Sequence, residues 1–179
     1  MAVLGTTKKE AFVSFALCAL TGPILGVVVG GFLFNKIGGY NSPKAFPICV
    51  FAMLFAAGCG VPLVFATNYY LVFFLLWGQF FFGGFSLPVL TGILLNTCPE
   101  SIRTIASSIA NLMYNLLGYL PAPYIYGVVY QANGGGKSRS GMFSLQISAV
   151  LSFIFLFTLL IKKKAIEKEE KSKHHSKIT

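Results

Sequence analysis

The sequence predicts an all-α, polytopic membrane protein. Three observations lead there: 55% of the 179 residues are hydrophobic, only 11% are charged, and the mean hydropathy is +0.74. Soluble domains carry about 25% charged residues, and so little charge cannot cover a water-exposed surface. A soluble enzyme or a nucleic-acid-binding domain is thereby excluded. The net charge of +9 does not reopen the second, because seven lysines (Lys162, Lys163, Lys164, Lys168, Lys171, Lys173 and Lys177) crowd the C-terminal end.

Taken in order, residues 1–10 form a short N-terminal segment, residues 11–161 a transmembrane bundle, and residues 162–179 a basic tail. Five apolar runs reach the ~20 residues a bilayer crossing needs: Ala11–Phe34, Ala45–Ala66, Tyr69–Leu95, Thr104–Tyr130 and Gly141–Ile161. Lipid offers no water to satisfy backbone groups, so these runs are expected to be five transmembrane helices. They lack the period-two alternation of barrel strands. Lys8 and Lys9 precede a run too long for the apolar region of a cleavable signal.

Basic residues set the orientation. One side collects Lys36, Lys44, Arg103 and the seven tail lysines, and the other collects Lys8, Lys9, Lys137 and Arg139. The richer side is expected to be cytoplasmic or matrix, which puts the tail there and the N-terminus opposite. An odd number of spans with lysines outside the first predicts a preceding helix.

Within the first run, Gly22, Gly26 and Gly30 recur at four-residue spacing with Cys18 one step earlier. This is a small-residue ridge for close helix packing, followed at Pro23 by a lost backbone donor. In the third run Gln79 and Ser86 share a face with Gly83 between them. An uncharged amide in hydrocarbon requires a partner helix or a wet cavity, and both readings stand for Gln79. In the fourth run Thr104, Ser107 or Ser108, Asn111, Asn115, Gly118 and Ala122 fall on one stripe, which either faces an aqueous cavity or bonds across helices. Gly118 to Pro123 must break or bend that helix. Gln79, Ser86, Asn111, Asn115 and Gly118 are therefore the candidate cavity residues. Ser144, Ser148 and Ser152 read as packing.

The sequence has no Asp, and its five acidic residues, Glu10, Glu100, Glu167, Glu169 and Glu170, all lie outside the apolar runs. No Lys, Arg or His lies mid-run. Catalysis needs an acid, base, nucleophile or metal ligand, and a proton pump needs a titratable relay. Neither is supplied, so no enzyme activity, metal or cofactor is expected. Cys18, Cys49, Cys59 and Cys98 form no CxxC or Cys/His cluster and read as small packing residues. His174 and His175 belong to a solvated tail.

The segment Gly31-Phe32-Leu33-Phe34-Asn35-Lys36-Ile37-Gly38 resembles the G-x-x-x-D-[RK]-x-G signature of the major facilitator superfamily. That signature lies on a cytoplasmic loop, on the side the basic residues assign. Asn35 stands where the family usually has Asp, which leaves the charge interaction of that Asp open. Leu117 to Gly127 is similar to the L-G-x-x-P-x-P-x-x-x-G pattern of the eleventh helix in spinster-like and organic-anion-transporting members, matched at Gly118, Pro121, Pro123 and Gly127. Together the matches align the chain with helices eight to twelve, most of the C-terminal half of a twelve-helix transporter. The resemblance implies a small solute bound between two halves near the midplane. It implies as partners the lipid bilayer and the missing transporter half, with no role for nucleic acid. The alternative is a non-transporting, structural subunit of a larger membrane complex. A third reading makes the chain a fragment of a longer gene product.

Overall fold

A computed structural model describes residues 8–39, 42–133 and 140–175. Lys137 and Arg139, used above for orientation, lie outside them, as do residues 1–7 and Lys177. Among the described residues there is no strand. Four helices are long and apolar enough to cross a membrane, spanning Lys9–Lys36, Ala45–Phe65, Tyr69–Thr97 and Ser140–Lys162. The chain is thus a helical, multi-pass membrane protein in architecture.

Helix α1 (Lys8–Lys36) carries Glu10 in its first turn and Lys36 in its last, the charge order the helix dipole favours. It stops where Gly38 and Gly39 adopt φ of +97° and +79°, conformations that disfavour any side chain. The Gly39 N–H donates to the Phe34 carbonyl at 2.8 Å and closes the end. Gly38 of the loop signature is therefore a helix stop. Of that signature's other members, Lys36 places its Nζ 4.8 Å from the Phe32 ring centre, and Gly31 faces open space.

Helix α2 (Ala45–Phe65) is the most enclosed, with Cys49, Val50, Ala52, Ala56, Ala57, Leu63 and Val64 buried. Ala66–Asn68 form a tight connection, in which the Asn68 side chain accepts from the Tyr70 N–H at 3.0 Å and caps α3 (Tyr69–Thr97). Helix α3 packs against both α1 and α2, and α2 packs against α6 (Ser140–His175). The core sits where Phe34 of α1, Cys49 and Ala52 of α2, and Phe85 and Val89 of α3 meet.

The glycine ridge of α1 sets the α1–α3 distance. A Cβ on Gly22 would lie 2.9 Å from the Phe80 Cβ, one on Gly26 would overlap the Phe81 carbonyl oxygen, and one on Gly30 would lie 2.6 Å from the Phe85 carbonyl oxygen. Gly84 answers from α3, where an added Cβ would meet Pro23 at 2.7 Å. Close backbone approach replaces the hydrophobic effect, which does not operate between helices in lipid. Trp77 Nε1 donates to Thr21 Oγ1 at 3.0 Å across the same seam.

One expectation changes. The fourth run is not one regular helix. It comprises α4 (Arg103–Met113), a π-helical stretch (Tyr114–Tyr119) and α5 (Pro121–Ala132). The Leu120 N–H reaches back to the Asn115 carbonyl at 2.9 Å, a five-residue step, just before Pro121 and Pro123 remove two donors. Four helices thus qualify as uninterrupted spans instead of five. The last apolar span ends at Lys162, and α6 continues beyond it as one 36-residue helix to His175. Residues 162–175 contain neither Gly nor Pro and are mainly Lys and Glu, which are good helix formers.

Candidate functional site

The polar groups of the spans divide into two sets that the structure does not bring together. The first lies inside the α1–α2–α3–α6 block. Gln79 of α3 and Gln146 of α6 exchange two amide hydrogen bonds: Gln79 Nε2 donates to Gln146 Oε1 at 3.0 Å, and Gln146 Nε2 donates to Gln79 Oε1 at 3.2 Å. Gly60 of α2 makes room for the pair, since a Cβ there would overlap Gln146 Oε1 and approach Gln79 Nε2 to 3.2 Å. Of the two readings open for Gln79, the structure places it in an interhelical bond. Ser86 is fully buried and donates to the Phe82 carbonyl at 3.1 Å, within the packed core beside Cys49. Each of these groups thus has a hydrogen-bond partner within the block.

The sequence reading missed Gln146. The signal was present, because an uncharged amide in an apolar run is the criterion that singled out Gln79. Attention went instead to Ser144, Ser148 and Ser152, whose hydroxyls only donate to carbonyls three or four residues back along α6.

The second set lies on α4 and the π-helical stretch. Ser107 is half-buried, while Thr104, Ser108, Asn111 and Asn115 are exposed. Ser108 Oγ donates to the Thr104 carbonyl at 3.0 Å and Asn115 Nδ2 to the Asn111 carbonyl at 2.8 Å, both within their own turn. Among the described residues, no side chain of another helix is hydrogen-bonded to Asn111 or Asn115. Gly118 and Gly127 face open space, so neither is present for close packing against this chain. Pro121 and Pro123 leave carbonyls of the π-helical stretch and the turn after it without their usual donors. The arrangement is an uncharged, acceptor-rich face with a distorted backbone at its centre.

The spacing of Thr104, Ser108, Asn111 and Asn115, three or four residues at each step, carries the stripe along α4 and into the π-helical stretch. This segment is attached to the block lightly. α4 touches α3, and α5 packs against α6, where Ser140 Oγ donates to the Val129 carbonyl at 3.3 Å. At the α3–α4 turn Arg103 is 3.5 Å from the Glu100 carboxylate, and its Nε donates to the Cys98 carbonyl at 3.3 Å.

Two grooves open on the surface of the block. One, of about 270 Å³, lies between α2 and α6 and is lined by Val61, Val64, Phe143, Ile147 and Val150 beside Gln146. The other, of about 400 Å³, opens beside Val27, Leu87, Pro88 and Leu95. Both are nearly all apolar and carry no chemistry. Among the described residues no three His, Cys, Asp or Glu side chains gather as a metal site would require. No protein-family model, curated protein or solved structure matches this chain.

Proposed function

We propose that the chain is the C-terminal half of a major-facilitator-type secondary transporter, moving a small solute together with a partner half. In this reading Thr104–Tyr130 is a fifth crossing, made by a broken helix, and the tail lies on the cytoplasmic or matrix side. The observation that carries the proposal is the Asn111–Asn115 face. Two amides and a distorted backbone at membrane depth cannot be left against lipid, where each unsatisfied group costs several kcal/mol. Broken helices are tolerated at that depth where they line a water-filled path or lie against protein. The loop signature ending at Gly38 and the Gly118–Gly127 pattern support the same reading by resemblance.

The test replaces Asn111 with Cys in a variant whose own Cys18, Cys49, Cys59 and Cys98 are changed to Ala, within its native assembly. A water-lined wall predicts modification by a membrane-impermeant thiol reagent and protection when transported solute is added. Loss of uptake with Asn111→Leu and Asn115→Leu, the assembly remaining intact, is the second expected result. An unreactive Cys and unchanged uptake would refute the assignment.

A second reading, a structural subunit of a larger membrane complex, is favoured by one observation. Gln79 and Ser86 are both spent on internal packing, so only one segment offers a polar face. Under it the Asn111–Asn115 face is covered by a partner helix. The Leu variants would then dissociate the complex on native gels, and the introduced Cys would stay unreactive.

A further inference from the structure

We infer that the solute met by the Asn111–Asn115 face is an uncharged polyol, a reading that rests on the transport function proposed above. The first ground is the distribution of charge. Residues 104–132 contain no Asp, Glu, Lys, Arg or His, and neither do residues 11–35, 45–65, 69–97 and 140–161. The charge nearest to the face in sequence, Arg103, is engaged at the α3–α4 turn, 3.5 Å from the Glu100 carboxylate and with its Nε on the Cys98 carbonyl at 3.3 Å. It stands about 12 Å from Asn111 along the helix, at ~1.5 Å per residue. An ion held at Asn111 would leave water without a counter-charge from this chain. A low-dielectric surrounding penalises that far more than a neutral group that finds hydrogen bonds.

The second ground is the set of open donors and acceptors. Asn115 spends one amide N–H on the Asn111 carbonyl, and Ser108 spends its hydroxyl hydrogen on the Thr104 carbonyl. The other amide N–H and the Oδ1 of Asn115 stay open, as do the lone pairs of the Ser108 hydroxyl. Among the described residues, the exposed Asn111 side chain is in no hydrogen bond, so its whole amide is open as well. Donors and acceptors are thus mixed on one exposed stripe. A carboxylate only accepts and would be set against the open oxygens. An ammonium only donates and would be set against the amide hydrogens. A hydroxyl does both. Asn111 and Asn115 lie one turn and about 6 Å apart, so a solute that satisfies both carries hydroxyls at more than one position along its length.

The experiment puts a reporter beside the two amides without removing them. Ser108→Cys is made in the variant whose four native cysteines are Ala, within the native assembly. The rate of modification by a membrane-impermeant thiol reagent is measured with sorbitol, gluconate or glucamine, which share a six-carbon frame and differ in charge. Sorbitol is expected to slow modification at least about 3-fold, the protection a solute gives at roughly twice its Kd, and each ion under about 1.5-fold at the same concentration. Asn111→Asp, nearly isosteric but charged, is expected to weaken sorbitol protection and to let glucamine protect at least about 3-fold. A reactive cysteine that no probe protects, or that either ion protects as well as sorbitol, overturns the polyol inference and leaves the water-lined wall standing. Protection that Asn111→Asp does not alter overturns it too, because the amide would then not touch the solute. A cysteine unreactive throughout overturns the transport reading, and the polyol with it.

Discussion

The Gln79–Gln146 pair allows the sharpest test of how this bundle is held together. The perturbation is Gln79→Leu, Gln146→Leu and the double variant, which keeps side-chain volume while removing the amides. Gln79→Leu leaves the buried Gln146 amide, and Gln146→Leu the half-buried Gln79 amide, without its partner, a penalty of about 1–3 kcal/mol that is larger for the first. The double change removes both amides and leaves an apolar contact over Gly60, so it is expected to lie near the unmodified chain. Two hydrogen bonds, at 3.0 and 3.2 Å, join the pair. With the double variant near the unmodified chain, the coupling energy is the sum of the two single penalties, about 2–6 kcal/mol, and the ~0.6–1.7 kcal/mol measured per interhelical bond in membrane proteins places it toward the lower end. Trp77 is the only tryptophan and sits in the α1–α3 seam, where its indole donates to Thr21. Its fluorescence during titration of a mixed micelle with sodium dodecyl sulfate reads the unfolding equilibrium. Single changes that simply add in the double variant, with coupling below about 0.5 kcal/mol, would refute the pairing as an energetic contact.

Further outcomes follow from the close approaches and the break. Gly26→Ala is expected to destabilise the fold by about 1–3 kcal/mol or more, because its Cβ overlaps a carbonyl of α3 that cannot move freely, whereas Gly31→Ala, in open space, is expected to be neutral or slightly stabilising. The same detergent titration distinguishes the two. Gly38→Ala is expected to cost about 1–2 kcal/mol through its φ of +97°, seen as a lower melting temperature with unchanged helicity. Pro121→Ala with Pro123→Ala restores two backbone donors. It is expected to increase hydrogen-exchange protection at residues 115–122 and to lower uptake if the broken helix has to flex; unchanged protection would separate the π-helical stretch from the prolines.

Much of this fold was legible because lipid enforces it. Runs of about 20 apolar residues have no alternative to the helix, and Gly22, Gly26 and Gly30 announce a close neighbour whatever that neighbour is. The identity of the neighbour was not legible. The chain gives no local sign that the ridge meets Phe81 and Phe85 and not α2, since that depends on how three helices share one core. Gln79 shows the same limit. Its need for a partner is local chemistry, but the partner, Gln146, lies 67 residues away, and only the fold brings them together. The fourth run shows the reverse. Two prolines and a glycine located the disturbance, yet its form is decided upstream, where the backbone widens to five-residue steps before Pro121. The interleaved lysines and glutamates after residue 161 suit a solvated helix, but nothing local says that it continues α6 without a break.

What unites these details is how the chain disposes of its few polar side chains. Gln79 with Gln146 and Ser86 with the Phe82 carbonyl pair inside the α1–α2–α3–α6 block, while Ser14 with Tyr69 and the exposed Thr21 with Trp77 pair across the α1–α3 seam. That block can therefore turn an apolar surface to lipid on its outer sides, as the exposed Phe12, Leu20, Val28 and Phe74 do. The α4–α5 segment cannot do so on the side that carries Asn111 and Asn115. Among the described residues its two amides bond no other helix, and its two prolines offer no backbone donor. If this segment is the fifth crossing proposed above, water or protein covers that side. The transporter and subunit readings differ only in which of the two it is, and the reactivity of a single cysteine at position 111 decides between them.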